Sequence, residues 1–150
     1  MKRRQPIDKS DDGGSALIEF TFLALLLLVP LVYVVLSVFE VQRAAYGVTS
    51  AAREAGRAYV DANSAPDAER AAQAAAAVSL ADQGLRLEPG QLSESCSTNP
   101  CLSPGARVTF RLRVRVTLPF VPEFLGRNVA TVAVSARHDA VVEQFRAVRP

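Results

Sequence analysis

The chain is 150 residues long, enough for one domain or for a membrane helix and one small domain. It is 49% hydrophobic with a net charge of only +2, a balance that gives no reason to invoke nucleic acid. There is one histidine, and the two cysteines are too few for a disulfide scaffold but enough for one staple.

Residues 1–12, MKRRQPIDKSDD, are polar, carry Pro6 and show no apolar periodicity, so they read as a disordered leader. Between Glu19 and Glu40 lies an uncharged run of 20 residues, FTFLALLLLVPLVYVVLSVF. As a helix it spans roughly 30 Å, the thickness of bilayer hydrocarbon. A secretory signal peptide has an apolar region of only about 7–15 residues. The far end offers Ala45-Tyr46-Gly47 as its nearest, weak, small-x-small cleavage site. The pattern predicts a transmembrane helix over 15–39 that begins near Gly14, with a kink at Pro30 where one backbone donor is missing. Lys2, Arg3, Arg4 and Lys9 flank one end, and Arg43, Arg53 and Arg57 the other. The basic cluster at positions 2–4 favours the N-terminus inside and the C-terminal part outside.

The helical pattern continues past the membrane over 40–62. Val41, Ala45, Val48, Ala52, Ala55 and Tyr59 form one face; Arg43, Gly47, Ser50, Glu54, Arg57 and Asp61 form a polar one. Arg57 and Asp61 are spaced to pair at i,i+4. The whole helix is expected from about Ser15 to Val60. NSAPDAE breaks it, with Ser64 as N-cap and Pro66 in the first turn of a second helix running to Gln83 and stopping at Gly84. Ala74, Val78, Ala81 and Leu85 are its expected buried face.

In RVTFRLRVRVTL, six apolar residues from Val108 to Leu118 alternate with Arg107, Thr109, Arg111, Arg113, Arg115 and Thr117. This is a strand with one wet face. VATVAVSARHDA reads as a second strand, with Val132, Val134 and Ala136 inward. LPFVPEFLGRN joins them, its prolines excluding regular strand and Gly126-Arg127-Asn128 favouring a turn. LRLEPGQLSES offers a short edge strand and turn. The expected architecture over 63–150 is therefore a small α+β domain with an antiparallel sheet.

Glu19 is the residue that asks for an explanation. The apolar segment starts before it, so its carboxylate lies about a turn inside, at a cost of up to about 3 kcal/mol, less near the interface. One reading lets it snorkel at the membrane edge. The other supposes cleavage after Gly14: Ser15 then gains a free α-amine at i relative to Glu19 at i+4. Amine and carboxylate, within one chain or between packed neighbours, neutralise each other in an apolar setting and set the axial register.

Glycine, four residues, then Glu19-Phe20 and a long apolar helix is the processing signature of type IV prepilin-like proteins. GSALIEF, followed by LALLLLVPLVYVVLSVFEVQRAAYGVTSAAREAGRA, resembles the TadE-like minor pilins (pseudopilins) of tight-adherence, or Flp, pilus systems. The resemblance covers about Gly13 to Tyr59. It implies a leader over 1–14, cut by a membrane prepilin peptidase after Gly14, with Ser15 as the mature N-terminus and Glu19 guiding processing or assembly. It implies residence in the cytoplasmic (inner) membrane as a single-pass protein, and other pilin or Tad assembly subunits as partners. Many type IV pilins place a methylated phenylalanine at the new N-terminus; Ser15 departs from that pattern.

Cys96 and Cys101 flank STNP. Outside the cytoplasm such a pair is expected to form a disulfide, stabilising by roughly 2 kcal/mol at most. A zinc pair is the alternative, but no second ligand pair completes four. The stripe Arg107, Arg111, Arg113, Arg115 suits phosphate, DNA or acidic surface polymers, but a solvated outer strand face explains it more simply, and no aromatics interleave with the arginines as nucleic-acid binding would favour. The apolar loop Phe120 to Leu125 is either a core lid or a docking surface. His138 and Asp139, adjacent in a strand, point to opposite faces, and no nucleophile elbow, phosphate loop or metal spacing appears. The sequence thus predicts a non-enzymatic assembly protein without cofactor, its membrane-embedded part in contact with lipid. The alternatives are an uncleaved single-span protein whose external domain binds an envelope ligand, and a secreted protein released by signal peptidase.

Overall fold

The structure is a computed structural model and describes residues 12–119 and 131–145. The fold is α+β, with α1 (Asp12–Asp61), α2 (Ala65–Ala81), β1 (Leu92–Cys96), β2 (Arg107–Thr117) and β3 (Thr131–Val141) in chain order. The chain divides into two units, one up to Leu36 and one from Ser37 onward. The leader up to residue 11, the loop Phe120 to Leu125, its Gly126–Asn128 turn and the first two residues of the expected second strand lie outside the described residues.

In the first unit, α1 is helical from Asp12 and continues through Pro30. Side chains from Ala16 to Val32 are all exposed, among them Leu17, Ile18, Phe20, Phe22 and Leu23. This stretch belongs to the one helix, among the described residues, that is long and apolar enough to cross a membrane.

The second unit is built on the C-terminal part of α1. Val48, Ala52, Ala55 and Tyr59 are buried, as periodicity predicts, and Ala44 and Ala51 join them. Gly47 is a correction: it sits on the expected polar face yet is buried. A Cβ there would meet Gln83 Cγ at 2.9 Å, so the absent side chain lets the end of the α2 turn approach. Arg57 and Asp61 do not form the expected ion pair; the ion pair of α1 is Glu40 with Arg43, at 2.7 Å, among the described residues.

Ser64 caps α2 as expected. Its Oγ accepts from the Asp67 N–H at 3.3 Å while its hydroxyl donates to the Asp67 carboxylate at 2.7 Å. At the other end, Leu85 N donates to Leu80 O and Gly84 N to Ala81 O, both at 2.9 Å, around Gly84 at φ +69°. These are the bonds of a Schellman closure, for which glycine is suited.

The buried face of α2 is Ala68, Ala72, Ala76 and Leu80, not Ala74, Val78, Ala81 and Leu85. Val78 is 64% exposed, Ala74 and Ala81 are exposed, and Leu85 is half-buried. The error is one of helical phase. Alanine fills nearly every turn, so apolar spacing does not choose a face, and Leu80 alone anchors the observed one.

The sheet is an antiparallel meander in the order β1-β2-β3. β2 alternates as its sequence predicts, burying Val108, Phe110, Leu112, Val114 and Val116, except that Thr109, expected on the wet face, is also buried, its hydroxyl bonded to Asp139. On β3, Val132, Val134 and Ala136 face the same side but are only half-buried. The core joins the alanine-rich faces of α1 and α2 to Leu92 and the inner residues of β2. Alanine contributes little area; the largest fully buried side chains are Phe110, Leu80, Leu112, Val48, Val108 and Val142. Small helical residues bring the backbones close enough for those few large side chains to fill the space.

Candidate functional site

Gly14, Ser15, Glu19 and Phe20 all fall within α1. Helical geometry puts positions 15 and 19 one turn apart on a single face. Glu19 and Phe20 are exposed, and Glu19 has no ion-pair partner among the described residues. It is the sole charged residue between Asp12 and Glu40. Two residues along, Thr21 Oγ1 donates to Leu17 O at 2.8 Å, satisfying its hydroxyl inside the helix. The backbone at Gly13 and Gly14 is helical, so a peptidase acting there has to unwind this first turn. Two glycines make that easier, each weakening a helix by about 1 kcal/mol relative to alanine.

Cys96 and Cys101 form a disulfide, with an S–S distance of 2.07 Å. It ties the end of β1 to the connection leading into β2. The same corner is held by Ser97 N donating to Arg107 O and Arg107 N donating to Ser97 Oγ, each at 2.9 Å.

Arg107, Arg111, Arg113 and Arg115 are exposed on the outer sheet face. The structure adds Arg137 from β3, directly opposite Arg111. Sequence parity already put Arg137 outward with Ser135 and Asp139, but the pairing register needed the fold. Asp139 is the carboxylate of this face. Its Oδ1 accepts from Thr109 Oγ1 at 2.6 Å and lies 3.4 Å from Arg137. The Thr109 hydrogen bond, helped by Arg137 and Arg107, holds the Asp139 carboxyl below the usual carboxylate value.

His138 turns inward, half-buried, against Gly56 of α1, while Asp139 turns outward. The two neighbours therefore do not form a catalytic couple. No three His, Cys, Asp or Glu side chains converge as metal ligands among the described residues.

Comparisons with protein-family models, with curated proteins and with solved structures found no match. The functional reading accordingly rests on the chemistry of α1 and of the sheet.

Proposed function

We propose that this chain is a TadE-like pseudopilin, a non-catalytic structural or assembly component of a Flp (tight-adherence) pilus, processed by prepilin peptidase after Gly14. The observation that carries the reading is the placement of Glu19. A lone carboxylate sits one turn inside a long exposed apolar helix, five residues after a glycine at which cleavage creates an amine. That amine supplies the positive partner that Glu19 lacks among the described residues. The continuation of α1 into an α+β unit supports the same reading, since an assembly subunit needs both a lateral packing helix and a head.

In this reading α1 anchors the protein in the cytoplasmic membrane with its N-terminus inside and the α+β unit outside. The disulfide supports an oxidising location for that unit. Its partners are the peptidase before cleavage and other pilin or Tad assembly subunits afterwards.

Helical backbone at Gly13 and Gly14 favours one competitor, an uncleaved single-span protein with an external binding domain. Mass spectrometry of protein from the native membrane decides between them. A chain starting at Ser15 is expected. An intact N-terminus supports the competitor, and a start beyond Phe39 means release by signal peptidase.

A further inference from the structure

The middle of the outer sheet face carries more positive charge than the described residues neutralise. A groove of about 530 Å³ lies there, lined chiefly by Gln91, Ser93, Arg111, Arg113, Ser135 and Arg137. Arg111 and Arg137 are direct cross-strand partners. Like charges in that position destabilise a sheet. Arg137 has two long contacts, from Nε and one terminal nitrogen and each 3.4 Å, to a single Asp139 oxygen that already takes the Thr109 bond. No carboxylate pairs with Arg111 or Arg113 among the described residues.

The groove's neutral groups narrow the ligand. Ser93 and Ser135 carry hydroxyls, which donate and accept. Gln91 Oε1 accepts from Glu88 N at 3.0 Å, which leaves the amide NH₂ as a donor. Ser93 Oγ makes only a 3.4 Å bond to Arg111 O. Such groups match a ligand that bears hydroxyls as well as an acid. No aromatic side chain lines the groove, so nothing there stacks on a nucleobase.

We propose that this groove binds an acidic saccharide. Its carboxylate sits between the Arg111 and Arg137 guanidiniums, whose planar forks fit carboxylate bidentately. Its ring hydroxyls meet Ser93, Ser135 and Gln91. Arg113, about 7 Å from Arg111 along β2, serves the next acidic unit of a chain. The site stands apart from the processing of α1 and does not depend on it.

The test uses the full chain in a neutral detergent micelle at low salt, with fluorescence anisotropy of labelled oligogalacturonate. Saturable binding is expected, with none to a neutral oligogalactan of equal length. The double variant Arg111→Gln/Arg137→Gln should weaken binding at least tenfold while retaining or raising the thermal midpoint, because the opposed charges are gone. Arg53→Gln, an exposed arginine of α1 outside the groove, should change affinity less than twofold. Absence of saturable binding overturns the proposal. So does equal loss with Arg53→Gln, or tighter binding of single-stranded DNA of the same charge, either of which reduces the face to a general cation surface.

Discussion

The Tyr59 ring stands edge-on to Phe110, with centroids 5.4 Å apart and ring planes at 64°. This contact locks α1 to β2 at the middle of the core, and edge-to-face pairs of this kind contribute about 0.5–1.5 kcal/mol beyond their burial. Burial, and then Glu94 and Glu69, push the Tyr59 phenol above its usual value.

The sign of that shift gives the first prediction. A raised folded-state pKa means the contribution is fully present below the unfolded value, about 10, and is lost as pH rises through the folded value. Tyr59→Phe keeps the ring pair and removes the titration. The wild type should therefore lose stability relative to Tyr59→Phe on the alkaline side of about pH 10. Urea midpoints of both proteins across that range measure it. A constant gap between them means the phenol does not feel its surroundings as described.

At Gly56, α1 packs tightly against β3. A Cβ at Gly56 would lie 2.9 Å from His138 Cδ2 and 3.2 Å from Ala140 Cβ. Gly56→Val should destabilise by about 1–3 kcal/mol through overpacking, despite the better helix propensity of valine. Adding His138→Ala should recover part of the loss, and thermal melts of the single and double variants read the coupling. If the second substitution recovers nothing, the imidazole is not what excludes a side chain there.

The strand pattern, the N-cap at Ser64, the stop at Gly84 and the buried Val48–Tyr59 face were all legible in the sequence. Each has a local physical cause: period-two alternation, a hydroxyl before Pro66, a residue suited to positive φ, apolar spacing. The buried face of α2 was not legible, because alanine on every side carries no phase. Gly47 was misplaced for a related reason. Hydropathy treats a bare backbone as neutral, whereas packing uses it as the point of closest approach. At the arginine face, composition revealed four cations, but the fifth, Arg137, joined them only through a register set by strands 13 residues apart at their connected ends.

On the outer face the pH dependence has the opposite sign to that of Tyr59. The Asp139 carboxyl is held low chiefly by Thr109, so its contribution is present above the unfolded value of about 3.9. It is lost as pH falls through the lower folded value. Thr109→Val removes the strongest cause. The stability gap between wild type and Thr109→Val should be constant above about pH 5 and shrink below about pH 4. Chemical denaturation at a series of acid pH values reads this directly, and a gap that widens on acidification contradicts it.

Glu19 carries the last prediction. Its carboxylate lies inside an apolar helix, where a charge costs up to about 3 kcal/mol and less near the interface. Glu19→Ala relieves that cost, so membrane insertion should be unchanged or improved, as measured by fractionation. With processing as proposed, the same substitution removes the partner of the amine that cleavage after Gly14 would create at Ser15. Unpaired amines in an apolar array are disfavoured, so filament yield in sheared preparations should fall even though the subunit is in the membrane. Gly14→Leu acts one step earlier: the chain should stay longer by its 14-residue leader, with Glu19 intact. If Glu19→Ala cells still make normal filaments, the carboxylate does not set the register between subunits, whatever becomes of the leader.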